Sequence, residues 1–476
     1  MITTDTLPDD VLIVIFSFYL DLHLGEYSPE KEREKAWQLL VHVCRRWRTI
    51  IFGSPRHLNL QLVCNGRTRA RDRLDVWTAL PLVIQCEKDD DDYSKDSIRN
   101  VDNIIAVLER RNRVCRIDLV GISFSNFGTI FAAMQQPFQE LIFLRLWSYY
   151  DGMVPVIPDS FLGGSAPRLR YLMFSHIPFP GLPNLLLSAT HLVNLALRHI
   201  PHSGYFSPEA MATVLSASTS LENLVLDFFS PRSCPDRENR RSPPAIRSIL
   251  PVLTYFRFKG TSEYLDDLVA RIDTPELNDL LITFFNDVEF DTPQFMQFIS
   301  RTPMSRSLEW AHITLGGKAT RVTLSRASGH GYLHVNILCT GLDWQVSSLG
   351  QVCTSCMPPL SMSENLHIYK SLGWRLDNIE NGPWVELLRP FTAVKNLYLG
   401  EEIAPRIAPA LQEVVEGRIT EVLPILESIV LEGLESSGSV EEGISQFVAA
   451  REVAGHPITI SHWDSQKEKT PTYFIG

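Results

Sequence analysis

From residue 114 onward one hydrophobic phrase recurs: apolar-x-x-apolar-x-apolar-x-x-apolar. It is spelled Val114, Ile117, Leu119, Ile122, then Leu169, Leu172, Phe174, Ile177, then Leu192, Leu195, Leu197, Ile200. Leu221, Leu224, Leu226, Phe229 and Leu277, Leu280, Ile282, Phe285 repeat it, as do Leu426, Ile429, Leu431, Leu434 near the end. Looser copies begin at Leu141, Leu253 and Val394. The central apolar-x-apolar step alternates as a strand with one buried face does. Between copies, residues 101–111, 208–217, 263–272, 292–300, 383–393 and 441–452 read as helices. Ser207-Pro208, Ser262 and Asp291-Thr292-Pro293 supply starts for them, with side-chain acceptors for the first free N–H groups.

The copies at 114, 141, 169, 192 and 221 start 23 to 29 residues apart. That is the period of leucine-rich repeats, in which a strand and a helix form one stacking unit. The expected fold class is therefore α/β, with an irregular leucine-rich-repeat-like solenoid over residues 61–476. Ile122, Ile177 and Ile200 stand where such repeats place an Asn or Cys that bonds the turn backbone. Residues 305–365 do not fit the phrase. Within them, 320–326 and 332–339 alternate like paired strands across Ala327-Ser328-Gly329-His330-Gly331. They read as a hairpin insertion or a strand-rich repeat variant. The charge run at 87–92, the short basic stretch at 67–73 and the Pro/Ser/Arg-rich segment at 230–244 read as surface. The last has a second reading as a partner-contacting or phosphorylated insert.

The first 60 residues are different. A turn at Asp5-Thr6-Leu7-Pro8 leads into Val11, Leu12, Ile15 and Phe16 at helical spacing; Trp37, Leu40, Val41, Cys44 and Trp47 do the same. Two short helices this apolar bury only part of their surface on each other, and the remainder needs the rest of the chain or a partner. Leu7-Pro8, Ile15-Phe16 and Val43-Cys44-Arg45-Arg46-Trp47, in that order, resemble an F-box, the helical module that docks on the Skp adaptor of cullin–RING ubiquitin ligases. Val43 to Leu60, with Phe52-Gly53-Ser54-Pro55, is similar to a subfamily abundant in mushroom-forming fungi. The polar insert at 21–35, with Ser28-Pro29 as a helix start, departs from the usual spacing. The resemblance implies a helical F-box over residues 1–60, with Leu7, Pro8, Ile15, Phe16, Val43, Cys44 and Trp47 facing Skp. A plainer reading leaves Arg45, Arg46 and Arg48 as the wet face of a helix with Trp47 and Cys44 packed inside.

Composition narrows the picture. A net charge of −11 argues against affinity for nucleic acid through a basic surface. The N-terminus has no Lys or Arg before Lys31, and the apolar run at 11–20 is too short for a bilayer, so neither a secretory leader nor a membrane span is expected. Eight cysteines over 476 residues suit a reducing compartment, cytoplasmic or nuclear. Cys353-Thr354-Ser355-Cys356 is the only CxxC. It lacks a second ligand pair for zinc, and Met357-Pro358-Pro359 behind it argues for a loop. No HExxH, Walker A or Gly-x-Ser-x-Gly pattern occurs. No metal, no cofactor and no catalytic residue is expected.

On such repeat strands the residues alternating with the core leucines share one open face. Arg145, Trp147, Tyr171, Arg198, Tyr255 and Arg257 are the aromatic and Arg members that protein interfaces favour, and scattered surface residues are the rival reading. The expected function is a non-enzymatic, substrate-recruiting adaptor. The head binds Skp, and through it cullin, and the repeats bind a target protein whose identity is open. Two alternatives stand: a protein-interaction scaffold without a ligase role, and an enzyme with an unrecognised site in 305–365.

Overall fold

The computed structural model describes residues 7–22, 30–55, 57–58, 60–65, 70–77, 80–86, 97–122, 124–148, 155–233, 246–285, 292–306, 308–326, 331–371, 381–415, 421–432 and 438–463. The charge run at 87–92, most of 230–244, much of 21–35 and the hairpin turn at 327–330 lie outside them. The chain divides into two compact units, Met1–Phe206 and Ser207–Gly476.

The first unit opens with three helices, α1 (Asp9–Leu22), α2 (Glu30–Val41) and α3 (Arg45–Gly53). Its strands are β1 (Leu62–Cys64), β2 (Leu82–Cys86), β3 (Val114–Val120), β4 (Phe143–Trp147), β5 (Tyr171–Ser175) and β6 (Asn194–Ile200). Between strands lie α4 (Ala70–Val76), α5 (Ser97–Leu108), α6 (Phe124–Ala133) and the short α7 (Leu182–Leu186). The six strands pair in sequence order, all parallel.

The hydrophobic phrase explains the sheet. Register pairs Ile117 with Leu144, Leu172 and Leu195 in one row, and Leu119 with Leu146, Phe174 and Leu197 in the next. Every one of these side chains is buried. Each contributes about 1.5–3 kcal/mol by leaving water, so the rows hold the layers together. The isoleucines at the Asn/Cys position cannot bond the turn. The chain turns instead on the residue just before them: Gly121, His176 and His199 all have positive φ, at 74°, 59° and 51°. The His176 N–H then donates to the Arg198 carbonyl at 3.0 Å, and the two imidazoles stack 4.2 Å apart. A left-handed histidine costs on the order of 1 kcal/mol, which the stacked rings offset in part.

The second unit holds β7 (Asn223–Phe228), β8 (Ser248–Ile249), β9 (Tyr255–Gly260), β10 (Ile272–Asp273), β11 (Asp279–Phe284), β12 (Trp310–Leu315), β13 (Thr320–Ser325) and β14 (Tyr332–Ile337). β15 (Asn365–Lys370), β16 (Asn396–Leu399), β17 (Ser428–Glu432) and β18 (Thr459–Trp463) complete its strands. Its helices are α8 (Pro208–Ala217), α9 (Ser262–Val269), α10 (Pro293–Arg301), α11 (Leu342–Cys356), α12 (Asn381–Leu388), α13 (Ala404–Val415) and α14 (Gly438–Val453). Its sheet runs β7-β9-β11-β14-β13-β12-β15-β16-β17-β18, with β8 and β10 forming a separate parallel pair.

The segment that broke the phrase is an antiparallel meander, β12-β13-β14, set into otherwise parallel pairing. The alternation read at 320–326 and 332–339 corresponds to β13 and β14. The loop expected around Cys353 and Cys356 is instead the last turn of α11, with Pro358 starting a separate short turn beyond it. Pro358 lies past the helix end, so it removes no helical hydrogen bond.

Candidate partner-docking surfaces

α1 is apolar on two faces. Leu12, Phe16 and Leu20 are buried, whereas Val11, Val14, Ile15 and Phe18 are exposed. The second set is spaced i, i+3, i+4, i+7, one stripe of a helix. Leu39 and Val43, four residues apart around the end of α2, are exposed as well. A set of contacts fixes this head. Arg46 Nη2 donates to Asp9 Oδ1 at 2.6 Å and to the Leu7 carbonyl at 2.5 Å, tying α3 to the first turn of α1. Cys44 caps α3, its sulfur accepting from the Trp47 N–H at 3.4 Å. The Trp47 ring lies 4.7 Å from that of Phe16. Trp37 packs edge-on against Trp77 at 5.4 Å, and Phe52 sits 5.2 Å from Trp77.

The seven residues expected to face Skp therefore separate. Pro8, Ile15 and Val43 are exposed, Leu7, Cys44 and Trp47 are half-buried, and Phe16 is 1% exposed, inside the head. Phe16 is a core residue because Leu12 and Leu20, its helical neighbours four residues to either side, carry the buried face. Val11, Val14, Phe18 and Leu39 were missed. Their signal was present: a helix apolar at nearly every position from 11 to 16 cannot bury both faces in a head this small.

β4 and β9 alternate between buried and part-exposed positions, whereas β5 and β7 are buried on both faces after their first residue. In the first unit, register aligns Arg116, Phe143, Tyr171 and Asn194; next Asp118, Arg145, Met173 and Ala196; then Val120, Trp147, Ser175 and Arg198. Phe143 and Tyr171 stack at 4.3 Å, with the Arg116 guanidinium 4.0 Å over Phe143. In the second unit Tyr255 shares a row with Asp279 and Tyr332, and Arg257 with Leu281 and His334.

The charge of that face differs from a free basic strip. Arg145 Nε donates to Asp118 Oδ1 at 2.5 Å, and Arg116 reaches the other oxygen at 3.3 Å. Asp118 is itself buried. In the second unit the buried Asp227 lies 3.9 Å from Arg257 and 3.6 Å from Lys259. Arg145 thus shares the buried Asp118 with Arg116, and Arg257 shares the buried Asp227 with Lys259. Each carboxylate stands on the strand next to that of Arg145 or Arg257, a pairing that periodicity alone does not give.

The meander adds a row that the sequence reading did not anticipate: His334, Thr323, His312, His367 and Tyr398, strand by strand. Thr323 Oγ1 sits 3.2 Å from His334 Nδ1, and the His367 ring lies 5.8 Å from His312 and 6.0 Å from Tyr398. Burial, then His367, pushes His312 down to about 4. Burial, then Arg321 and Arg257, pushes His334 down to about 3. Both of these imidazoles are neutral near pH 7. Among the described residues no three His, Cys, Asp or Glu side chains gather to hold a metal, and no helix is long and apolar enough to cross a membrane.

Compared with known proteins, the chain matches no family model and no curated sequence.

Proposed function

We propose that this protein is a substrate-recruiting adaptor of a Skp–cullin–F-box type ubiquitin ligase, with the repeat strands, stacked as a solenoid, carrying the target. The observation that carries the reading is the outward stripe Val11, Val14, Ile15 and Phe18 on a head otherwise closed by Arg46, Cys44 and the Phe16–Trp47 pair. A solvent-exposed apolar helix face of this regularity suits a partner helix or groove. It lies in the stretch that resembles an F-box. Recruitment then works by proximity, a target held near a charged conjugating enzyme. No residue of this chain makes or breaks a bond in that account, and the protein works in the cytoplasm or nucleus.

The test is capture of purified Skp by the full chain. Ile15→Asp with Phe18→Asp changes only exposed positions, so the variant keeps its melting temperature and loses Skp. A folded double variant that still captures Skp overturns the adaptor reading. Phe16→Ala and Trp47→Ala are poor probes, because they open the core of the head. Co-purification of cullin with the wild type separates a ligase subunit from a scaffold that uses Skp alone.

A further inference from the structure

In the second unit, the last turns of α10 and Arg247, just before β8, line an open surface depression without deep enclosure, through Arg247, Met296, Gln297, Ser300 and Arg301. Arg247 donates Nε to the Ala270 carbonyl at 3.3 Å, which fixes its stem, and no ion pair balances it among the described residues. Arg301 donates Nε to Asp273 at 3.3 Å, while its Nη2 is shielded from water without a hydrogen-bond partner.

Asp273 pairs with Arg301 alone, and Arg247 beside it has no ion pair among the described residues, so a net positive charge is left. The carbonyl end of α10 offsets roughly half a unit of it, so an anion remains favoured. Burial first and the neighbouring Arg247 second lower the Arg301 pKa, while Asp273 raises it, so the two guanidiniums lie within electrostatic reach of each other. One lining side chain is apolar, the exposed Met296.

We propose that this depression binds a phosphate monoester carried on an apolar stem. Guanidinium forks match the terminal oxygens of a phosphate, and a dianion answers two arginines better than a carboxylate does. Met296 then packs against the stem. The site is separate from the head, so it stands or falls independently of Skp binding.

Calorimetric titration of the full chain with phenyl phosphate, inorganic phosphate and benzoate tests the proposal. Phenyl phosphate saturates, about tenfold tighter than inorganic phosphate, because the ring buries apolar surface that the bare ion lacks. Benzoate, with the ring but a single charge, binds at least about tenfold more weakly than phenyl phosphate. Arg247→Gln loses the phenyl phosphate signal at unchanged melting temperature. Met296→Glu, which sets a carboxylate in the depression and leaves both arginines in place, loses it too. No saturation in the wild type, equal binding by either variant, inorganic phosphate as tight as phenyl phosphate, or benzoate matching phenyl phosphate each overturns the assignment.

Discussion

Phe16 and Phe18 are two residues apart on one helix and have opposite fates. Phe16 is buried against Trp47, and Phe18 is 66% exposed. Phe16→Ala should cost about 3–5 kcal/mol in urea unfolding, the range for emptying a buried aromatic site. Phe18→Ala should change stability by less than about 0.5 kcal/mol. Equal effects would sink the assignment of the two faces. The histidines of the meander give a pH signature. Folded His312 and His334 titrate near 4 and 3, well below the ordinary 6.5. The unfolded chain takes up protons first, so stability present above pH 6.5 falls as the pH drops towards those values. The slope is at most roughly 1.4 kcal/mol per pH unit for each histidine. His312→Gln with His334→Gln should flatten the fall in urea midpoint between pH 6.5 and 4.5. An unchanged slope would assign the acid sensitivity to other groups.

At the scale of elements, the two helix starts read best from the sequence show where local reading stops. Ser207 caps α8 as its pattern implies, accepting the Ala210 N–H at 3.2 Å. Thr292 precedes α10 with equal propriety, yet its side chain makes no cap bond. Asp266 of α9, buried, accepts both the Gln294 and Phe295 N–H groups at 2.9 Å. A cap supplied from a neighbouring helix leaves no local trace. Asp266→Ala should therefore cost about 1–2 kcal/mol, where Thr292→Ala costs little. Denaturant melts of the two variants decide the matter; a larger loss from Thr292→Ala would return the cap to its own helix. The same distinction governs the sheet. Strands whose leucines repeat were readable from period alone. The β13–β14 hairpin was legible too, but the antiparallel pairing of β12 with β13, the pairing of Arg145 with Asp118 and the left-handed histidines depend on which strands become neighbours.

At the scale of the molecule, the head and the strands β1 to β6 fall in one compact unit. α2 packs on α3 and on β1. Trp37 and Phe52 from the head close around Trp77 at the end of the first repeat-side helix, their ring centroids 5.4 and 5.2 Å from it. The hydrophobic pattern of residues 7–47 reads as a self-contained segment, but aromatic packing across its end joins it to the first unit's core. A chain beginning at residue 61 loses those rings and uncovers Leu62 and the apolar side of β1, both buried in the intact protein. Exposing several large apolar side chains at one edge removes several kcal/mol of burial, on the order of 1.5–3 kcal/mol each. It also leaves a strand edge open to association. The shortened chain should melt below the full protein and elute as aggregates in size exclusion. Ile15→Asp with Phe18→Asp, which empties the docking stripe but not the core, should elute and melt like the wild type. A monomeric shortened chain with the wild-type melting temperature would instead make the head an independent module, with Trp77 covered by other means.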